Sequence, residues 1–197
     1  MITGLAKSTA HFFVENKLVE PDDEEIYVYG MEIFLSTAIN LIIAVVIALV
    51  SDTFIPCLIN FTAFVTIRIY AGGYHADTHL GCIMTLIAVQ NVFILVIKNI
   101  TESLMLLSAP IMMAVSAVVI FSLSVVEHPN KPLSVSLRKK LRKKSLAAML
   151  LWLVFITVFI QIDMPAYGFY AAFGMISISA AMAAEKLKLR FECNEKK

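Results

Sequence analysis

Six uninterrupted apolar runs constrain this 197-residue chain before anything else does: Met31 to Val50, Phe54 to Tyr70, Leu80 to Ile97, Leu104 to Val126, Leu146 to Ile162 and Pro165 to Ala184. Each is about the 17 to 25 residues that a hydrocarbon core roughly 30 Å thick demands of a spanning helix. Barrel strands would alternate in polarity over about ten residues, whereas these runs are apolar on every side, so helices are expected. A composition 59% hydrophobic and only 16% charged agrees, because it lies well outside the range of soluble domains and leaves lipid as the solvent. The second and fifth runs are the shortest, and the second carries Pro56, so either could be tilted or re-entrant. The expected fold is an all-α polytopic membrane protein of about six transmembrane helices. It forms one membrane-embedded domain over 1–197: a leader over 1–30, a helix bundle over 31–184 and a charged tail over 185–197.

The leader has no uninterrupted apolar stretch of the kind a cleaved signal peptide needs. Instead Ile2, Leu5, Ala6, Phe12 and Phe13 interleave with Lys7, His11, Glu15 and Lys17 at roughly helical spacing, which suits an amphipathic helix lying in the bilayer interface. It could grip a substrate or simply be a weakly ordered leader. Basic residues are retained on the cytoplasmic side of membrane proteins. With six spans and a cytoplasmic N-terminus, the inner side receives every lysine and arginine except Lys98. Both termini and the connection between spans two and three are then cytoplasmic. Three scattered cysteines, Cys57, Cys82 and Cys193, imply no disulfide framework. A net charge of +1 with no basic stripe interleaved with aromatics gives no sign of nucleic-acid binding.

The chemistry is concentrated in that second connection, RIYAGGYHADTHLGC, from Arg68 to Cys82. Ionisable groups at membrane depth are costly and point to function by default. Gly72 and Gly73 each cost about 1 kcal/mol in a helix interior against alanine, so they mark a break or a close backbone approach. On one continuous helix, His75 and Cys82 would stand about 10.5 Å apart along the axis, too far for direct proton transfer. A glycine-loosened loop carrying His75 back towards Cys82 at the start of span three would make a nucleophile and base pair. Unpaired backbone N–H groups at that helix start would favour thiolate and could hold a tetrahedral oxyanion. Glu32 and Asp77 are the carboxylates placed to orient His75.

Each residue also has a plainer reading. Cys57 reads as a packing residue and Cys193 as an exposed thiol in a charged tail. His11 and His128 read as amphipathic filler, Arg68 could snorkel to the headgroups, and Asp77 could be solvated. The HPNKPLSVSLRKKLRKKSLA stretch has a turn composition followed by six basic residues between Arg138 and Lys144, and reads as a topology anchor that also attracts anionic lipid. It could also receive an acidic substrate tail. Two other function classes stand beside a thiol enzyme. His75, Asp77, His79 and Cys82 include a histidine pair at metal-binding spacing, which suits a metal enzyme or transporter. Asn40, Asn60, Gln90 and Asn91 could line the path of a channel or carrier, or make interhelical hydrogen bonds in a scaffold.

An arginine, Gly-Gly, a histidine and a cysteine seven residues later, in a six-segment membrane protein of about this length, resembles the AgrB (accessory gene regulator B) family. The resemblance implies a cysteine endopeptidase with catalytic His75 and Cys82 and with functional Arg68 and Gly73. It implies a substrate too, a small AgrD-like precursor peptide whose C-terminal tail is removed and which is closed into a thiolactone or lactone signal for quorum sensing. No cofactor and no metal are expected. The partners expected are that precursor and the lipid bilayer, with a second copy of the chain as a further candidate. His79 has no counterpart in the matched pattern.

Overall fold

The computed structural model describes residues 2–73, 78–126 and 134–195, and every regular element among them is helical. The order is α1 (Ile2–Glu15), a short 3-10 turn (Pro21–Asp23), α2 (Glu24–Val50), α3 (Phe54–Ala71), α4 (His79–Asn99), α5 (Glu102–Leu123), α6 (Val135–Gln161) and α7 (Pro165–Glu195). Six of these, α2 to α7, are long and apolar enough to cross a membrane. Even α3, the shortest at 18 residues, is about 27 Å long at 1.5 Å per residue, close to the hydrocarbon thickness. The chain is a multi-pass membrane protein.

Three boundaries differ from those expected by more than a helical turn. Helix α2 starts at Glu24 instead of Met31, because the 3-10 turn with Pro21 at its first position feeds directly into it. Helix α6 starts at Val135, so the basic residues from Arg138 to Lys144 lie on its first turns and not in a solvated loop. Its start is set by Ser134, whose hydroxyl accepts the Leu137 N–H at 3.3 Å. Helix α7 continues through the tail to Glu195, and Glu185, expected as the first tail residue, is only 2% exposed.

Helix α7 is the centre of the bundle. Its Ala172, Met175, Ile178 and Met182 are fully buried against Ala63 and Ile67 of α3, Ala109 and Ile120 of α5, and Ile156 of α6. Without a hydrophobic drive between helices in lipid, such packing relies on small residues and on polar bonds. Gly174 accordingly sits against the Asn60 carbonyl of α3, where any Cβ would collide. Trp152 Nε1 of α6 donates to Thr66 Oγ1 of α3 at 2.8 Å. Ser124 at the end of α5 shares a 3.1 Å hydrogen bond with Ser145 of α6.

A smaller cluster of Ala48, Cys57, Phe93 and Ile94 joins α2, α3 and α4. There Gln90 donates to the Ala44 carbonyl at 2.7 Å, the interhelical bond that was one of two roles open to it. Asn91 instead bonds back to its own Ile87 carbonyl at 2.8 Å. Outward faces carry Val46, Val92, Leu107 and Leu151, all exposed, as a lipid-facing surface requires. Helix α1 lies against α2 on its buried Ala6 and Ala10, leaving Leu5 and Phe12 exposed. His11, expected as filler, stands between Glu15 at 3.5 Å and Glu24 at 3.4 Å, and so links α1 to the start of α2.

Candidate active site

Helix α3 ends at Ala71 because of the two glycines that follow. Gly72 has φ 78° and ψ −162°, a conformation nearly closed to residues with a Cβ, and a Cβ there would lie 2.6 Å from the Val126 carbonyl oxygen. Gly73 has φ 150° and lies against Ile178 of α7. Val126 N–H donates to the Ala71 carbonyl at 2.9 Å, so the segment after α5 is stitched to the end of α3. The glycines are thus both a helix break and a close backbone approach, as expected.

His75 and Asp77 lie outside the described residues, as do His128 and the side chains of His79 and Cys193. The chain is described again from Thr78, the N-cap of α4, whose side chain accepts the Gly81 N–H at 3.0 Å. Cys82 is the fourth residue of that helix, and its own N–H donates to the Thr78 carbonyl at 3.1 Å. The N–H groups of Gly81 and Cys82 are therefore already bonded and are not the free donors expected beside the thiol.

The donor at the sulfur comes from another helix. Asn40 of α2 places its Nδ2 3.5 Å from Cys82 Sγ, while its Oδ1 is buried with no hydrogen-bond partner among the described residues. The thiol itself is half-buried, and so has a route to a substrate. From α3, Arg68 lies within electrostatic reach of both Cys82 and Glu185, with its guanidinium 5.4 Å from the centre of the Phe64 ring. Arg68 is half-buried. Three helices, α2, α3 and α4, converge on Cys82, and α7 adds Glu185 behind Arg68.

Glu32 lies eight residues before Asn40, about 12 Å earlier along α2, so at the level of the thiol α2 presents an amide. Cys57 differs from Cys82 in its burial and in its distance from Arg68. It is 5% exposed, sits in the first turn of α3 at the opposite end from Arg68, and shares a 3.5 Å hydrogen bond with Thr53. No group of three or more His, Cys, Asp or Glu that could hold a metal occurs among the described residues.

Sequence reasoning missed two residues of this site. Asn40 was weighed only as a pore-lining or interhelical residue, and Glu185 was assigned to the charged tail. The signal for Glu185 was present: a carboxylate directly after SAAMAA continues an apolar helix and requires a partner. For Asn40 the only signal was an amide inside an apolar run.

No curated protein and no solved structure matches this chain. The family model described as Accessory gene regulator B matches residues 6–184, taking in five spans, most of the sixth and the whole of the Arg68 to Cys82 segment. The chain belongs to the accessory gene regulator B family.

Proposed function

We propose that this protein is a membrane cysteine endopeptidase that cuts the C-terminal tail from a small AgrD-like precursor peptide and promotes closure of the remainder into a thiolactone or lactone. Membership of the family is consistent with a role in processing an autoinducer precursor in quorum sensing. The observation that carries the thiol mechanism is the contrast between the cysteines. Cys57 and Cys82 both lie in the first turn of a helix with a polar side chain at the sulfur, but Cys82 is only half-buried and within electrostatic reach of an arginine, whereas Cys57 is buried in the cluster with Ala48, Phe93 and Ile94.

In the proposed reaction His75 takes the Cys82 thiol proton as the sulfur bonds to the scissile carbonyl carbon. Collapse of the tetrahedral intermediate breaks the C–N bond, and His75 delivers the proton to the departing amine. The acyl group is left on Cys82 as a thioester. A thiol or hydroxyl of the bound precursor then attacks that carbon and gives its proton to His75; the C–S bond to Cys82 breaks, His75 returns the proton to the Cys82 sulfur and the cyclic product leaves, while attack by water would give a linear acid instead. Arg68, Gly72 and Gly73 support the loop, and Asp77 or Glu32 orients His75. The distribution of basic residues puts the site and both termini on the cytoplasmic side of the cell membrane.

Reconstituted protein and precursor test this reading. Cys82→Ala and His75→Ala should each abolish cleavage while leaving insertion intact, and Cys57→Ala and Cys193→Ala should cleave as the parent does. Full cleavage by Cys82→Ala would end it.

A further inference from the structure

Three of the described asparagines bond back to the segment that carries them. Asn16, Asn91 and Asn99 each donate from Nδ2 to the carbonyl four residues earlier, at 2.8 Å. Asn40 and Asn60 do not: each leaves its Oδ1 buried and without a hydrogen-bond partner among the described residues, and Asn40 in addition turns its Nδ2 across to α4, where it reaches Cys82 Sγ at 3.5 Å. An unpaired amide oxygen away from water is unfavourable, so a side chain held in that state calls for an explanation beyond packing.

We propose that Asn40 is a catalytic residue, the side-chain donor to the oxyanion formed on the scissile carbonyl when Cys82 attacks; this rests on the cysteine-endopeptidase reading above. In the tetrahedral intermediate the oxyanion lies roughly 2.6 Å from the attacking sulfur, so a donor 3.5 Å from that sulfur can meet the charge when the carbonyl is presented on the side facing α2. The alternative donors on α4 are less available, since the Gly81 and Cys82 N–H groups are bonded to Thr78. Among the described residues, Arg68 of α3 lies within electrostatic reach of the thiol, and Glu185 of α7 within reach of Arg68. Asn40 supplies a neutral, directional donor from α2 that those charges do not.

The test is steady-state cleavage of the precursor by the full-length protein in vesicles, with rates normalised to monodisperse protein recovered. Asn40→Ala should lower kcat by about 10²- to 10³-fold with KM little changed, because the bond is made only as charge develops. Asn40→Asp keeps the shape but replaces the donor with an acceptor, and should lose at least as much. A purely packing role predicts near-parental kcat for Asn40→Asp, and that result would overturn the assignment even where Asn40→Ala is poorly inserted. Cys82→Ala runs alongside. An active Cys82→Ala protein removes the endopeptidase reading itself, whereas an inactive Cys82→Ala with parental kinetics in both Asn40 variants removes only the role of Asn40.

Discussion

Two cysteines on neighbouring helices show how far a residue's surroundings decide its chemistry. Cys57 packs with Ala48, Phe93 and Ile94, and Cys82 meets an amide and lies near a guanidinium. The glycines decide as much through their backbone. Gly72→Ala would force a Cβ to within 2.6 Å of the Val126 oxygen at a φ of 78°, so α3 and the segment after α5 would have to separate. Residues held in such regions of conformational space cost about 1–3 kcal/mol. Gly72→Ala should therefore lower thermal stability in detergent by several degrees and reduce cleavage, and parental values of both would show that the junction is not needed. The glycine break was legible in the sequence because two adjacent glycines have few other uses inside an apolar run. The contact with Val126 was not, since it joins residues over fifty positions apart.

At the scale of elements, hydrophobic length was a good guide to how many helices there are and a poor one to where they stop. The expected spans ended where charge began, because charge was taken to mark the water. Helix α6 shows why that fails: its first turns carry six basic residues, yet two of them stabilise neighbouring helices. Arg142 donates to the Phe121 carbonyl at 3.4 Å, one of the carbonyls left unpaired at the end of α5, and stacks 5.8 Å from the Phe121 ring. Lys144 lies 5.4 Å from the Tyr70 ring near the end of α3. The basic stretch thus braces the same end of the bundle that carries the glycine break. At the other extreme of the pattern, Glu185 was misplaced because a single carboxylate resembles the start of a tail, and only the fold supplies Arg68 as its neighbour.

Across the whole molecule, a tight bundle of α3, α5, α6 and α7 forms one packed body, and α2 and α4 meet it through the smaller cluster around Phe93. Cys82 therefore lies where the lightly packed part, α2 and α4, meets the end of α3. The orientation proposed from where the basic residues fall is open to direct measurement. In cells expressing a variant without native cysteines, a membrane-impermeant thiol reagent should label Asn99→Cys but not Asp77→Cys. Labelling of Asp77→Cys alone would put the site on the outer face.

The central claim is that Cys82 carries the acyl group between cutting and ring closure, and the covalent intermediate tests it most directly. A thioester is a more reactive acyl donor than the amide it replaces, and its formation from an amide is uphill, so the released tail should be able to reverse it. Purified protein incubated with precursor should give a mass adduct on the peptide containing Cys82 that hydroxylamine removes, and added free tail peptide should return the adduct to intact precursor. Cleaved linear precursor with no adduct at Cys82 and no effect of added tail would contradict the account.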